Sequence, residues 1–315
     1  MVVSRISMGL GNQMFQYAAG RSLSLTIAQP FKVDISSYSR YGLRKYEIAE
    51  FFEVEPPIAT EEELSGFKFS HPVRRAWNKV FRKNRITSLP YEEKWPARLL
   101  YNFFYIFQPP HRRPVFEERQ FHFDKNFFNT RNIVCLKGYW MSYKYFKDYE
   151  DIIKKDFTIR KEKLERVQYL ADEINNCNSV AVHVRCGDKM EAKYLKLYGE
   201  LSASYYKSGI EYITEKKGNL HLYVFSDDIE MAKNYLPVNV PCTYVSKYIS
   251  KSAIEDFYLI TQCKNVIMAN STFSWWAAYL NSHSDKIVVT PERWYNISSY
   301  DYKDIYYPSW VKLKN

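Results

Sequence analysis

Residues 179–189 read SVAVHVRCGDK, and this stretch decides the fold. It reads as a strand that alternates apolar residues and then delivers His183 and Arg185 to one face, because side chains two apart in a strand point the same way. Both then reach one ligand. The guanidinium of Arg185 is a planar, permanently charged fork suited to a diphosphate. The plainer alternative is a local ion pair of Arg185 with Asp188.

Outward from this strand, the second half alternates apolar runs with amphipathic helices, the pattern of βα units on a parallel sheet. Helices are expected over 160–176, 202–217, from 228, over 252–263 and over 270–281. Strands are expected over 179–185, 220–226, 242–245, 265–269 and 286–290. The result is an α/β, doubly wound domain. The first half opens the same way, with a strand over 2–6, a turn at Gly9 and Gly11, a helix over 14–26 and a strand over 31–35. Prolines punctuate residues 53–128, which predicts short helices and loops added to a smaller sheet. The expected division is 1–157 and 158–315.

The chain has 315 residues, of which 46% are hydrophobic and 25% charged, which excludes a disordered or collagen-like polymer. No run of 18 apolar residues exists to span a bilayer. The opening MVVSRISMGLGNQ carries too short an apolar stretch for a secretory signal, so a cytoplasmic location is expected. Cys135, Cys177, Cys186, Cys242 and Cys263 form no C-x-x-C pair and read as reduced thiols rather than a disulfide framework or zinc site. The net charge of +10 calls for an acidic partner. Much of it sits at Lys68, Arg74, Arg75, Lys79, Arg82, Lys83 and Arg85, with Val73, Trp77, Val80 and Phe81 at helical spacing. Residues 68–85 thus read as a basic amphipathic helix, either a solvated surface helix or a peripheral contact to the inner membrane face. No nucleic-acid motif accompanies the charge.

Three more segments fall where strands hand over to helices, the edge at which open α/β sheets bind ligands. Gly9-Leu10-Gly11-Asn12-Gln13-Met14 fails the dinucleotide pattern at its third glycine, although Asp34 stands where a ribose-binding acid would. It also reads as a tight turn with Asn12 capping a helix. Ser226-Asp227-Asp228 offers acids for a base, a ribose or a metal; the alternative is that Asp227 caps the next helix. Asn270-Ser271-Thr272-Phe273-Ser274 puts small hydroxyl residues at a helix start, where free N–H groups and the dipole make an anion site. Trp275 and Trp276 read as core or platform.

The four segments together resemble glycosyltransferase family 11, the α-1,2-fucosyltransferases, over most of the chain. The family's G-L-G-N-Q-M-F-Q-Y-A stands at Gly9 to Ala18, its H-x-R-R-G-D at His183 to Asp188, its S-D-D at Ser226 to Asp228 and its N-S-T-F-S-W-W-A at Asn270 to Ala277. Gly138-Tyr139-Trp140 and Tyr205-Tyr206 also look like family positions. Two residues depart: Cys186 replaces the second arginine, and Met8 the glycine usually preceding Gly9. The resemblance implies a GT-B fold, two Rossmann-like domains with a cleft between them. It implies inverting, metal-independent transfer of fucose from GDP-fucose to the 2-hydroxyl of a galactoside, on a soluble or lipid-linked glycan.

On that basis Arg185 takes the diphosphate, with Gly11, Asn12, Gln13, Asp227, Asn270, Ser271, Thr272, Phe273 and Ser274 in the donor site. His183 and Asp228 contact guanine or ribose, and Tyr139 and Trp140 the acceptor. Asp188 is the first choice of general base and Glu191 the second. With no D-x-D, a metal is not expected: a charge pair at 4 Å is worth about 4 kcal/mol at an effective dielectric of 20, and an oriented oxyanion donor ~3–4 kcal/mol. Competing readings are a fucosyltransferase of another linkage, an NAD-dependent oxidoreductase built on Gly9, Gly11 and Asp34, and a non-catalytic carbohydrate- or membrane-binding protein.

Overall fold

The computed structural model describes residues 1–41, 44–65, 67, 109–186, 192–236 and 239–315. Asp188, Lys189, Glu191 and the basic stretch 68–85 lie outside the described residues. Among the described residues ten strands form two parallel sheets. β1 (Val2–Arg5), β2 (Phe31–Asp34), β3 (Val115–Glu117) and β4 (Val134–Lys137) make the first, in the order β2-β1-β4-β3. β5 (Ser179–Val184), β6 (His221–Ser226), β7 (Cys242–Tyr244), β8 (Asn265–Ile267), β9 (Val288–Pro291) and β10 (Val311–Leu313) make the second, ordered β10-β9-β8-β5-β6-β7. Strand order reverses between β1 and β4 and again between β5 and β8. Such reversals open a crevice at the carboxyl ends of the strands.

The helices used below are α1 (Leu10–Thr26), α2 (Gln168–Asn176), α3 (Ala203–Lys217), α4 (Ile229–Ala232), α5 (Ala253–Gln262) and α6 (Thr272–Leu280). All six residues of β5 are buried, as a strand covered on both faces requires. Val180, Val182, Val184 and Cys186 join one apolar core with Tyr206, Ile210 and Ile213 of α3. Ala181 joins a larger one, which runs through both sheets and includes Val2, Phe15, Leu136, Phe257, Val266 and Trp276. The strand alternation read from the sequence therefore holds, and the apolar core passes across the expected division near residue 157.

Several boundaries differ from expectation. α1 begins at Leu10, with Gly9 as its N-cap, so Asn12 lies inside the helix and caps nothing. The 160–176 helix is two short 3-10 turns, Lys161–Lys163 and Glu165–Val167, followed by α2; Arg166 there turns to pair with Glu255 and the Ile249 carbonyl. The helix from 228 is the four-residue α4. β3 lies within the stretch expected to be irregular, and β10 was not expected; each has three residues and exists through pairing with a neighbour, β4 and β9 respectively. The five cysteines are free, three buried and two half-buried. Among the described residues no helix is long and apolar enough to cross a membrane.

Candidate functional site

The two sheets meet at their crevices. Gly11, in the first turn of α1, packs on the backbone of Thr272 and Phe273: a Cβ added to it would lie 2.3 Å from the Thr272 carbonyl carbon and 2.5 Å from the Phe273 nitrogen. The glycine is there so that two helix N-termini can touch. Phe15 of α1 packs on Trp275 and Trp276 of α6 at centroid distances of 4.5 and 5.0 Å, which fixes the junction. Neither first turn carries an acidic side chain. The Glu47 carboxylate accepts from the Leu10 amide at the start of α1, whereas the first turn of α6 carries no acid of its own, so the α6 end is the one that attracts an anion.

Arg185 follows β5 on the other side of the β5/β8 reversal. Its Nε lies 3.3 Å from Asp227 Oδ2, and Asp227 Oδ1 accepts from the Cys186 amide at 3.0 Å. Asp227, 42 positions along the chain, is thus an ion partner of Arg185, and the expected local pair with Asp188 lies outside the described residues. Asp228, rather than Asp227, caps the next helix: its Oδ1 accepts from the Met231 amide at 3.0 Å. His183 is buried with its ring 5.8 Å from that of Phe273. Tyr206 donates to the His183 carbonyl at 3.3 Å and Tyr205 to the Met268 carbonyl at 2.7 Å, so adjacent tyrosines of α3 pin the ends of both strands that flank the reversal.

The remaining motif residues divide between cleft and scaffold. Asn12, Ser271, Thr272 and Phe273 keep exposed surface at the junction. Gln13 is fully buried; its Nε2 donates to the carbonyls of Met8 and Lys45 at 3.0 and 2.8 Å, and its Oε1 accepts from the Glu47 amide at 2.9 Å. Asn270, also buried, donates to the carbonyls of Tyr198 and Trp294 at 3.1 and 3.2 Å. Ser274 is buried and its hydroxyl returns to the Ala269 and Ser271 carbonyls. These three side chains hold the loops around them in place. Trp140 is likewise core, packed edge-on to Phe116 and Tyr145, whereas Tyr139 beside it is half-buried near Phe121. Cys186 faces inward, its Sγ 3.5 Å from Ser226 Oγ. Asp34 is taken by Arg5, whose Nε lies 3.1 Å away, and by the Ser36 amide at 3.0 Å, which removes the acid that the dinucleotide reading needed.

Three features escaped the sequence reading. Gln16 accepts from the Ser7 amide at 2.8 Å and donates to the Gly138 carbonyl at 3.0 Å, tying the β1 and β4 loops together. Asp256 on α5 accepts from Ser246 at 2.7 Å and from Ser250, and Ser246 in turn accepts from the Ser226 amide at 3.0 Å. Burial pushes the Asp256 carboxyl up to about 6. Glu118, just past β3, accepts from the Tyr139 and Trp140 amides at 2.6 and 3.1 Å, and burial pushes it up to about 7. Among the described residues no three His, Cys, Asp or Glu side chains gather as a metal ion would require.

Residues 106–314 match the family described as Glycosyl transferase family 11. The chain belongs to that family. An Escherichia coli O-antigen biosynthesis glycosyltransferase, WbnK, is 30% identical over 98% of this chain and 99% of its own length. An E. coli alpha-1,2-colitosyltransferase is 29% identical over 100% of this chain and 99% of its own. Among solved structures, an Arabidopsis thaliana FUT1 mutant in complex with GDP shares the fold, with a TM-score of 0.50 and 12% identity over 91% of this chain and 69% of that one. The family 11 chain described here is therefore a glycosyltransferase of two parallel-sheet domains, the GT-B arrangement, and the oxidoreductase reading falls with Asp34.

Proposed function

We propose that this enzyme transfers L-fucose from GDP-β-L-fucose to the 2-hydroxyl of a terminal β-galactoside, with inversion and without a metal ion. One observation carries the reading: the N-termini of α1 and α6 meet, with no acidic side chain in the first turn of α6, beside an Arg185 held in place by Asp227. Loss of the sugar places new negative charge on the diphosphate, and fixed donors aimed at that charge stabilise the transition state more than the ground state. Arg185 supplies the charge and the Thr272 and Phe273 amides the dipoles. Asp227 sets the direction of the guanidinium through its second contact, the Cys186 amide.

The four family motifs support fucose and the α-1,2 linkage, and the colitosyltransferase relative supports the same linkage with a different 6-deoxy sugar. A GDP-colitose donor is thus the second reading. A site that hydrogen-bonds a sugar hydroxyl can reject the analogue lacking it by about 10⁴-fold, so the two donors should differ sharply in rate. Proton acceptance by Asp188 or Glu191 falls on residues outside those described and is carried no further. The acceptor is a galactose-terminated oligosaccharide, soluble or lipid-linked, and contact of residues 68–85 with the inner membrane face remains part of the proposal.

The test is incubation with GDP-fucose or GDP-colitose and a panel of galactosides, with and without EDTA, followed by linkage analysis. Transfer to the 2-hydroxyl, unaffected by the chelator, is the expected product. Another linkage, or activity abolished by EDTA and restored by a divalent ion, contradicts the proposal. Liposome binding unchanged after Arg74, Arg75, Arg82 and Lys83 are neutralised would refute a membrane role for residues 68–85.

A further inference from the structure

Glu118 stands one residue beyond β3, at the carboxyl edge of the first sheet, beside the β4 loop that closes the β1/β4 reversal. Its two oxygens accept from consecutive amides, Tyr139 and Trp140. Gly138 makes the approach possible, since a Cβ there would lie 2.4 Å from the Glu118 Cβ. The turn is strained: Trp140 has φ of 56°, a left-handed value rare for a bulky residue, and strain of this kind gathers at functional sites.

From the loop that carries Glu118, contacts lead to the second sheet. Phe121 stacks on Tyr295 at 5.1 Å, Tyr295 stacks on Tyr198 at 5.3 Å, and the Tyr198 carbonyl accepts from Asn270, immediately before the start of α6. Glu118 therefore stands on the first-sheet side of the aromatic contacts that join the two sheets, close enough to Tyr295 for its charge to act on that phenol. The residue as a whole is half-buried.

Resting on the donor reading above, we propose that Glu118 is the group that takes the proton from the acceptor hydroxyl. As the acceptor oxygen bonds to the anomeric carbon, the bond from that carbon to the phosphate oxygen breaks and its electron pair leaves with the nucleoside diphosphate. The hydroxyl proton passes to a Glu118 oxygen and is lost to water after the products leave.

The electrostatic setting fits this work. A carboxylate that accepts two backbone N–H bonds ordinarily titrates low; here burial outweighs them and holds the group near neutrality, where a general base is both ionised and able to bind a proton. The groups around it leave that balance undisturbed. Tyr145 and Tyr295 are buried with their own pKa values raised, so they stay neutral, and Glu117 and Lys137 on the flanking strands pair with each other at 2.9 Å. Among the described residues no ion pair joins Glu118.

Glu118→Gln and Glu118→Asp, in the full chain, separate a base from a brace. The measurements are kcat and acceptor KM from pH 5 to 9 with GDP-fucose, with GDP affinity by calorimetry. Glu118→Gln is expected to lower kcat by roughly 10²-fold or more, to leave GDP affinity within about twofold, and to remove the fall in kcat below neutral pH. Glu118→Asp should keep that limb at an intermediate rate, and it carries the test alone if the Gln variant does not fold. A kcat within about fivefold of wild type, or a raised acceptor KM with the acid limb unchanged, would reduce Glu118 to a brace of the 138–140 turn. Wild-type enzyme inactive with every GDP-sugar sinks the donor reading and this proposal with it, whereas an active wild type and an active Gln variant sink this proposal alone.

Discussion

Gly11→Ala tests the junction on which the donor site is built. The added methyl would lie 2.3 Å from the Thr272 carbonyl carbon, and the atoms around it are backbone, which cannot swing aside as a flexible side chain would. Ordinary contact begins at 3.4 Å, so 3.4 − 2.3 = 1.1 Å of separation has to be found between α1 and α6. The rings of Phe15, Trp275 and Trp276 resist that movement. Overpacking a tight interior costs about 1–3 kcal/mol, and with backbone on one side the upper end applies. At roughly 2–4 °C per kcal/mol for a domain of this size, the melting temperature should fall by about 6–12 °C. Moving the α6 terminus by about an ångström also lengthens its bonds to a phosphate; losing one charge-assisted bond of about 1.5–3 kcal/mol weakens GDP binding by roughly 10- to 100-fold. Scanning fluorimetry and calorimetry read both numbers. Gly9→Ala is the control, because a Cβ there meets nothing within 4 Å and its φ of −81° suits any residue. A Gly11→Ala protein that melts and binds GDP like wild type, or a Gly9→Ala protein equally damaged, refutes the reasoning.

Arg185→Ala should lower transfer by roughly 10²–10³-fold, the size of one lost oxyanion donor, with melting unchanged within a few degrees. Steady-state kinetics that stay near normal would remove the guanidinium from the chemistry. Met8 has φ of 70° and an exposed side chain, so Met8→Gly gives up little burial and relieves left-handed strain; a gain of up to about 1 kcal/mol in urea melts is expected, and a loss of that size would count against it. Asp256 has its carboxyl pushed up to about 6 from 3.8, so its favourable contribution is complete below pH 3.8 and lost as pH rises through 6. The melting temperature of Asp256→Asn relative to wild type should therefore improve between pH 4 and 7, and a difference independent of pH would contradict the shift.

The second sheet was legible because its strands are local events. β5 and β6 carry continuous buried runs, and α5 announces its start with Ser252 and Glu255, which form a capping box. Where the reading failed, partners distant in sequence decide the outcome. Glycine at position 11 weighs against a helix on propensity, yet the helix begins at Leu10 because α6 requires a residue without a side chain there. β3 has only Phe116 buried and no pattern to reveal it; its existence depends on β4. Gln13 and Asn270 read as ligands from their motifs, and nothing in the sequence reveals that their amides brace loops 32, 72 and 24 positions away. Glu118 carried no signal at all, since nothing near it in sequence announces the amides of residues 139 and 140.

The central claim is that the donor's diphosphate sits where the first turns of α1 and α6 meet Arg185. A crystal structure of the protein soaked with GDP tests it most directly. The account requires phosphate oxygens within hydrogen-bond distance of the Arg185 guanidinium and of the Thr272 or Phe273 amide. Phosphates bound elsewhere, out of reach of Arg185, would contradict it.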